Sequence, residues 1–443
     1  MHILPQLRKL ERKYAGALQV IGVHSAKFRA EQATEAVRDA ILRYGIEHPV
    51  VNDRDFRVWQ EYAVRAWPTL MFIDPHGKVI GKHEGEFQLD TFDRLIGQMI
   101  AAFEAEGAID RTPLHFRSES MPTGPLLFPG KVLADAASQR VFIADSGHHR
   151  IVCAHVDGMV ERIVGEGTPG LQDGSAETAR FNSPQGLALE GDALYVADTE
   201  NHAIRMVSLQ TGEVLTLAGT GEQGYDRRAE GPGRRVALSS PWDLAIAGST
   251  LYVAMAGTHQ IWTLNLNDGA IRAWAGSGTE NLVDGSLATA QFAQPSGLAL
   301  SENTLYVADS EASGIRAIDL HSGQVRTLVG LGLFEFGDVD GEGDDARLQH
   351  PLGLCLAADT LLVADSYNHR IKTLDPCTCV VATWAGNGTA GMRDGPAAHA
   401  QFREPGGLTA TSDLIYVADT NNHLIRTVDR RSGEVGTLLL TGL

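Results

Sequence analysis

Six times along the chain, an apolar segment ends at an equivalent position and an isoleucine opens the next apolar segment six residues later. That position is aspartate in five repeats and methionine in the third: Asp145, Asp198, Met255, Asp309, Asp365 and Asp419. The five intervals between the first and the last give about 55 residues per repeat, which is near the length of a propeller blade and well above that of a helical hairpin. The repeat therefore predicts a six-bladed, all-β propeller over residues 126–443.

Each repeat contains four strand-like pieces. The first follows a proline, the second ends at the aspartate position, the third begins at the isoleucine, and the fourth ends in a glycine turn. The prolines are Pro129, Pro184, Pro241, Pro295, Pro351 and Pro405. Glycine is frequent in the first piece and fits an innermost strand, where blades crowd around the central axis.

A histidine follows the aspartate position by four residues in five repeats. These histidines are His149, His202, His259, His369 and His423. The sequences Asn368-His369 and Asn422-His423-Leu424 resemble the NHL repeat, a six-bladed propeller family named for its Asn-His-Leu tripeptide. The resemblance covers residues 126–443. It departs locally at Met255 and at Ser313-Gly314, which stands in place of Asn-His.

The repeated aspartates and histidines have two interpretations. They are either ligands of a catalytic or metal site, or caps that bond exposed backbone amides of tight turns. An array of identical positions is rarely one active site, so we favour structural turns. The residues concerned are Asp145, His149, Asp198, His202, Asp309, Asp365, His369, Asp419 and His423. No catalytic residue, metal ligand or cofactor is predicted.

In four repeats, an Asp-Gly pair precedes the first strand. An aromatic residue or a leucine follows this pair in the same interblade loop. The pairs are Asp173-Gly174, Asp284-Gly285, Asp340-Gly341 and Asp394-Gly395. One carboxylate per loop falls short of the six to eight oxygens that calcium prefers, so a structural turn is favoured over a calcium site. These loops gather on one face of the disc, where a partner is expected to dock.

Residues 1–108 alternate helical and strand patterns, which predicts an α/β domain. The segments Gly22 to Phe28, Val51-Asn52-Asp53 and Trp67-Pro68-Thr69 resemble the thioredoxin-like domain of thioredoxin-fused NHL-repeat proteins. The resemblance implies that Trp67 and Pro68 belong to a thioredoxin-type cis-proline loop and are binding residues. Residues 109–125 are predicted to be a linker, with a short strand at 114–116.

The resemblance also implies a Cys-x-x-Cys and a central strand before the first helix, but Met1 stands at that position and the first cysteine is Cys153. A missing central strand would leave its two neighbours with unpaired backbone groups, at a cost of several kcal/mol. We therefore expect Met1 to be a late start, with upstream sequence that completes the domain. The alternative is a degenerate thioredoxin-like packing module.

Composition limits the partners. Residues 1–108 hold 14 Lys/Arg and 15 Asp/Glu, so 23 basic and 40 acidic residues lie beyond them. An acidic surface repels phosphate backbones, which disfavours nucleic acid. Four cysteines are too few for a disulfide scaffold, and Cys377-Thr378-Cys379 is interpreted as ordinary turn and strand residues. No transmembrane run or signal segment is found, and a cytoplasmic location is predicted.

Three functions remain open. The leading prediction is a scaffold that binds a protein or peptide on a propeller face, with a thioredoxin-like domain that is redox-inactive as given. The first alternative is a thiol-disulfide oxidoreductase whose Cys-x-x-Cys lies upstream of Met1. The second alternative is a metal-dependent propeller lyase or hydrolase, because some NHL propellers resemble lyases of that kind.

Overall fold

The computed structural model describes residues 3–87 and 89–443 and divides the chain into two compact units, Met1–Met121 and Pro122–Leu443. In the described part of the chain, no helix combines the length and the apolar character needed to cross a membrane. Residues 109–125 contain neither helix nor strand. The strand predicted at 114–116 is therefore wrong, since Leu114 and Phe116 are exposed and pair with no neighbouring strand.

The first unit is an α/β domain, as predicted. Its helices are α1 (Leu4–Lys13), α2 (Thr34–Arg43), α3 (Arg57–Glu61) and α4 (Leu89–Ala105), with a 3₁₀ turn at Ala30–Gln32. Its strands are β1 (Gly22–His24), β2 (Val50–Asn52), β3 (Thr69–Ile73) and β4 (Val79–Glu84). The amphipathic α1 and α4 pack together through Leu10, Phe92 and Ile96, which form a small core with Phe87.

The strands of the first unit form two separate sheets. β1 pairs with β2 in parallel, and β3 pairs with β4 as an antiparallel hairpin. Among residues 3–87 and 89–121, no strand joins β1 to β3. The sheet that thioredoxin-like folds build as one piece is divided here.

The second unit is a propeller of six antiparallel sheets, each ordered inner, second, third and outer strand. The inner strands are Pro129–Asp135, Pro184–Glu190, Pro241–Ala247, Pro295–Leu300, Gly353–Ala357 and Pro405–Ala410. The second strands are Arg140–Asp145, Ala193–Asp198, Thr250–Met255, Thr304–Asp309, Thr360–Asp365 and Leu414–Asp419. The third strands are Arg150–His155, Ala203–Ser208, Gln260–Asn265, Gly314–Asp319, Arg370–Leu374 and Leu424–Asp429. The outer strands are Val160–Val164, Val214–Ala218, Ala270–Ala275, Gln324–Val329, Val380–Ala385 and Glu434–Thr437.

Short extra pieces edge the last four blades. Glu230–Pro232, Gly285–Ser286, Gly341–Glu342 and Gly395–Pro396 each pair with an outer strand. In each blade, a 3₁₀ turn follows the second of the four strands. These turns are Ser146–His148, Thr199–Asn201, Ala256–Thr258, Ser310–Ala312, Ser366–Asn368 and Thr420–Asn422. Further 3₁₀ turns lie at Gly233–Arg235 and Gly343–Asp345.

The propeller core lies between the blades. Six apolar clusters each join side chains of two consecutive blades, and one of them joins blade six to blade one. Phe181, Phe292 and Phe402 are fully buried in three of these clusters, so the aromatic side chains of these loops fill the crevices between blades. Burying such a side chain stabilises the fold by about 2–3 kcal/mol.

The ring closes by contacts between the two ends of the propeller. The backbone N–H of Val160 donates to the carbonyl of Thr441, and Thr441 N–H donates to the carbonyl of Gly158, both at 2.9 Å. On the inner side, the Thr420 hydroxyl donates to the carbonyl of Pro129 at 2.9 Å. Blade six is therefore bonded to blade one as other blades are to their neighbours.

Candidate functional site

The five repeated aspartates are fully buried, and each holds together its own blade. Asp198 Oδ1 accepts a hydrogen bond from Asn182 N–H at 2.7 Å, and Oδ2 accepts from Asn201 Nδ2 at 2.7 Å and Arg205 Nη1 at 2.9 Å. The other four receive the same backbone bond at 2.6–2.7 Å: Asp145 from Leu127, Asp309 from Ala293, Asp365 from Gln349 and Asp419 from Arg403.

Burial acts against ionisation of these carboxyl groups. It raises the pKa of Asp198 and Asp419 to about 6, and the pKa of Asp309 and Asp365 to about 7. The neighbouring cation and the hydrogen-bond donors lower the same pKa values and so oppose the effect of burial. Carboxylates held by donors on every side belong to a structural network.

The repeated histidines bond the next blade rather than their own turn. His202 Nδ1 accepts a hydrogen bond from the backbone N–H of Ser240 at 3.0 Å. The equivalent bonds, at 3.0–3.2 Å, run from Ser183 to His149, from Gln294 to His259, from Glu404 to His369 and from Phe128 to His423. In blade four, Ser313 Oγ replaces the ring and accepts from His350 N–H at 3.1 Å.

The donor of each bond is the residue before the first proline of the next blade. All six of these pre-proline residues have a φ between 46° and 59°. The five histidines and Ser313 have a φ between 49° and 58°. Each interface between blades therefore joins two left-handed residues by one hydrogen bond. An imidazole that accepts at Nδ1 must be neutral, with its proton on Nε2. Burial lowers the pKa of His149 and His369, and lowers that of His259 and His423 to about 4.

These residues stand one set per blade around the ring. Within residues 3–87 and 89–443, no group of three or more His, Cys, Asp or Glu side chains is arranged to hold a metal ion.

The sequence prediction missed a buried cation in the third strand. Arg205 Nη2 donates to Asp173 Oδ1 at 3.0 Å, so one guanidinium joins the aspartate of its blade to the Asp-Gly loop. Arg316, Lys372 and Arg426 make the same connection to Asp284, Asp340 and Asp394. A signal existed, because each cation directly follows the repeated isoleucine. The Asp-Gly aspartates therefore anchor loops to the blades.

Blade three replaces this ion pair by apolar side chains. Met255 stands at the aspartate position and Trp262 at the cation position, and both are buried. Ser239 N–H points at Met255 Sδ, 3.3 Å away, where other blades offer a carboxylate. Gln260 holds the interblade loop in place of the missing cation: its Nε2 donates to the carbonyls of Arg227 and Gly276 at 3.0 and 2.9 Å. The fold thus tolerates either solution at this place.

One buried ion pair crosses the central axis. Lys131 replaces the inner-strand glycine in blade one and Asp243 replaces it in blade three, with Nζ 3.3 Å from Oδ2. Lys131 Nζ also donates to the carbonyl of Leu352 in blade five, at 2.5 Å. Burial lowers the pKa of Lys131 and raises that of Asp243, and the opposite charge opposes both shifts. The pair therefore lies at the central axis, between blades one, three and five.

In the first unit, the Trp67–Pro68 peptide bond is cis. Trp67 Nε1 donates to the carbonyl of Ser25 at 2.8 Å, and its ring lies 4.4 Å from the Trp59 ring. Burial of Asp53 disfavours its charge, but bonds from Trp59 N–H, Ser25 Oγ and Val58 N–H outweigh this and lower its pKa. This cluster fixes the loop, and Trp67 remains 45% exposed.

The four cysteines are free. Cys153 and Cys355 are buried, and burial raises the pKa of each thiol to about 12, so neither is a ready nucleophile. Cys377 is exposed on the turn between the third and outer strands of blade five. Cys379 has a φ of 59° at a place where the other five blades carry glycine with positive φ.

Exposed apolar side chains of the propeller concentrate on one face. Strand register places Pro184, Asp198, Ile204 and Ala218 at the same end of their sheet. The loops from each outer strand to the next inner strand therefore begin and end on one face, which we call the loop face. In blade five the middle of the loop runs along the outer strand to its other end, where Glu342 pairs with Val380. Seven large hydrophobic residues are exposed on these loops: Leu171, Tyr225, Val283, Leu331, Phe334, Val339 and Met392.

Comparisons with known proteins agree with both units. The Thioredoxin-like family model matches residues 1–79. The NHL repeat model matches residues 181–205, 348–374 and 402–427. This chain is a thioredoxin-like domain joined to an NHL-repeat propeller.

Two relatives match this chain over nearly its whole length. The chain is 44% identical over 461 residues to Protein SUPPRESSOR OF QUENCHING 1, chloroplastic, of Arabidopsis thaliana, covering 99% of this chain and 44% of that protein. It is 41% identical over 476 residues to human NHL repeat-containing protein 2, covering 99% and 66%. It thus spans less than two thirds of the length of either. Thiol-disulfide oxidoreductase ResA of Halalkalibacterium halodurans is 29% identical over 96 residues, 21% of this chain and 52% of that protein.

The matched NHL repeats are the blades that carry asparagine before the histidine. Asn201 Nδ2 donates both to Asp198 Oδ2 and to the carbonyl of Gly170 in the interblade loop, each at 2.7 Å. Asn368 and Asn422 make the same two bonds in blades five and six. The Asn-His pair of the NHL repeat therefore has two tasks: asparagine holds the loop, and histidine holds the next blade.

Proposed function

We propose that the NHL propeller is a scaffold that binds a protein or peptide on its loop face. The observation that carries this proposal is the concentration of exposed apolar side chains on the interblade loops. Exposed apolar groups that gather on one surface are typical of interaction sites, and loops on a rigid ring are suited to present them. On the opposite face, the tight turns consist mainly of glycine and small polar residues.

Site-specific photo-crosslinking tests this assignment. A photoreactive residue at Tyr225 or Met392 is expected to give adducts with a defined protein, whereas one at Asn267 or Arg431, on opposite-face turns, is not. The crosslinked protein is then purified and its complex with the 443-residue chain is measured by titration. Adducts of equal yield from both faces would refute a loop-face site.

A pair of valine variants sharpens the test. Val283 on the loop face and Val380 on an outer strand are 38% and 44% exposed. Val283→Lys is expected to weaken the purified complex about tenfold or more, the loss typical of a contact residue. Val380→Lys is expected to leave it unchanged. Equal effects would contradict the proposal.

A second candidate function is thiol-disulfide exchange by the thioredoxin-like domain. It is favoured by the cis Trp67–Pro68 loop and by the likeness to a protein named thiol-disulfide oxidoreductase. Residues 1–121 contain no cysteine, so the 443-residue chain is expected to be inactive in insulin reduction. Activity confined to a longer form expressed from the same gene would support this candidate, and inactivity of every form would remove it.

A further inference from the structure

A crevice opens between blades one and two, at the end of the blades away from the loop face. Its volume is about 260 Å³. Strand register places Phe142, Cys153 and Arg162 side by side on three neighbouring strands of blade one. Leu209, which follows the third strand of blade two, also lines the space. We call this space the blade-one crevice, and its size is close to the lower limit of ligand-binding pockets.

The back of the blade-one crevice is apolar. Phe142 and Val207 are fully buried behind it, and Cys153 is 4% exposed at its floor. Burial raises the pKa of the Cys153 thiol to about 12, so the thiol is neutral and adds no charge. Leu209 is half-buried at the side. A short hydrocarbon group that enters the crevice is therefore removed from water against Cys153 and Leu209, which favours its binding.

Charged side chains stand at the mouth of the crevice. Two arginines and one glutamate line it, so one positive charge is left over in a chain whose net charge is −18. Arg140 Nε donates to Glu161 Oε2 at 2.7 Å, and these two charges compensate each other. Arg162 Nη1 donates to the carbonyl of Leu209 at 2.9 Å, and Arg162 forms no ion pair within residues 3–87 and 89–443. The charge of Arg162 is therefore the one that an anion can neutralise.

Blade four shows what distinguishes Arg162. Arg326 has the same place in its blade, because it pairs with Ala317 as Arg162 pairs with Cys153. Arg326 Nη2 likewise donates to the carbonyl of Pro376, at 3.2 Å. However, Arg326 is exposed to solvent, whereas Arg162 is half-buried. A half-buried guanidinium keeps fewer water molecules on its remaining N–H groups, so a carboxylate with two oxygen acceptors gains more there.

We propose that the blade-one crevice binds a small organic monocarboxylate. The carboxylate oxygens accept hydrogen bonds from Arg162 at the mouth, and the hydrocarbon part lies against Cys153 and Leu209. The ligand carries one carboxylate, because one positive charge is left over and a second anionic group would lie beside Glu161. The volume limits the ligand to about the size of benzoate. This site lies apart from the loop face and does not rest on the function proposed for that face.

Three ligands that share one ring and differ in charge test the proposal. Saturation-transfer NMR measures binding of benzoate, benzyl alcohol and benzylamine to the 443-residue protein at pH 7. We expect benzoate to bind with a Kd on the order of 1 mM, which is ordinary for so few atoms. Benzyl alcohol is expected to bind about tenfold more weakly, since it carries no charge, and benzylammonium is expected not to bind. Equal or stronger binding of either control would overturn the proposal, as would no binding of benzoate.

Two matched arginine variants test the role of the charge. Arg162→Gln is expected to weaken benzoate binding about tenfold, because a hydrogen bond to a charged partner is lost. Arg326→Gln removes the equivalent guanidinium of blade four and is expected to leave binding unchanged. Equal losses in both variants would overturn the assignment of the carboxylate to Arg162, as would unchanged binding in Arg162→Gln.

A cysteine variant tests the location of the hydrocarbon part. Cys153→Met is expected to abolish benzoate binding, because the longer side chain fills the crevice. Met206 has the same place in blade two, so a blade of this fold accepts methionine there. Circular dichroism and thermal unfolding show that each variant is folded before binding is compared. Full binding of benzoate by folded Cys153→Met would place the ligand elsewhere and overturn the proposal.

Discussion

At the scale of single residues, a repeated histidine is a neutral acceptor whose bond joins two blades. His259 is buried, and its Nδ1 receives the N–H of Gln294 at 3.2 Å. Burial lowers the pKa of His259 to about 4, against about 6.5 in an unfolded chain. Between these values the unfolded state binds more protons, so stability from this residue is present above pH 6.5 and is lost as pH falls towards 4.

We therefore predict a pH-dependent difference between the wild type and His259→Asn. At pH 7 the variant is expected to be less stable by about 1 kcal/mol, the cost of a perturbed hydrogen bond. As pH falls from 6.5 to 4, the wild type should lose about 2.5 kcal/mol relative to the variant. Urea unfolding at four pH values measures this, and the buried aspartates cancel in the comparison. Parallel stability curves would show that His259 does not titrate as described.

At the scale of the element, the third strand of a blade is held by a buried cation between two carboxylates. Removing Arg205 leaves Asp198 charged in a dry interior, and leaving one member of a buried pair costs about 3–5 kcal/mol. We predict that loss for Arg205→Met, with a smaller loss for Asp198→Asn/Arg205→Met, because the amide of the double variant carries no charge. Blade three already has an apolar solution in Met255 and Trp262.

A double-mutant cycle with urea unfolding measures this coupling. Asp198→Asn alone supplies the fourth corner of the cycle. Burial raises the pKa of Asp198 to about 6 while the Arg205 charge opposes this shift, so removing Arg205 raises the pKa further. The cost of Arg205→Met should therefore shrink as pH falls towards 6, because the carboxyl group takes up a proton in the variant before it does so in the wild type. The Arg205 guanidinium carbon also lies 5.1 Å from the centre of the Phe181 ring. Additive losses at every pH would mean that Arg205 acts only through this packing contact.

Sequence patterns predicted those elements whose residues recur in register. The six blades, the positions of Asp198 and His202, and the loop aromatics all follow from the repeat. The partner of His202 did not, because its bond reaches Ser240, 38 residues away in the next blade. The hydrogen bond from Lys131 to Leu352 joins residues 221 positions apart and occurs only once among the described residues, so the repeat pattern does not predict it. The exposure of apolar side chains on the interblade loops likewise depends on which side chains the folded ring leaves uncovered.

At the scale of the whole molecule, the axis connects blades that are not neighbours. Repeat architectures are stabilised mainly by contacts between consecutive repeats, so parts of the array can unfold separately. Here Lys131 of blade one bonds Asp243 of blade three and the carbonyl of Leu352 in blade five. Three alternate blades thus share one buried ammonium group. If any of these blades unfolds, a buried charge either loses its partner or becomes exposed to water.

We predict that Lys131→Met lowers both the stability and the cooperativity of propeller unfolding. Stability should fall by about 3 kcal/mol, because Asp243 remains charged and buried. The dependence of unfolding free energy on urea should become shallower, since blades no longer linked at the axis unfold over a wider range. Lys372→Met is the matched control: it removes a buried ammonium that joins a blade only to its adjoining loop, so stability should fall while the steepness is retained. An unchanged steepness in Lys131→Met would mean that consecutive contacts alone make the ring cooperative.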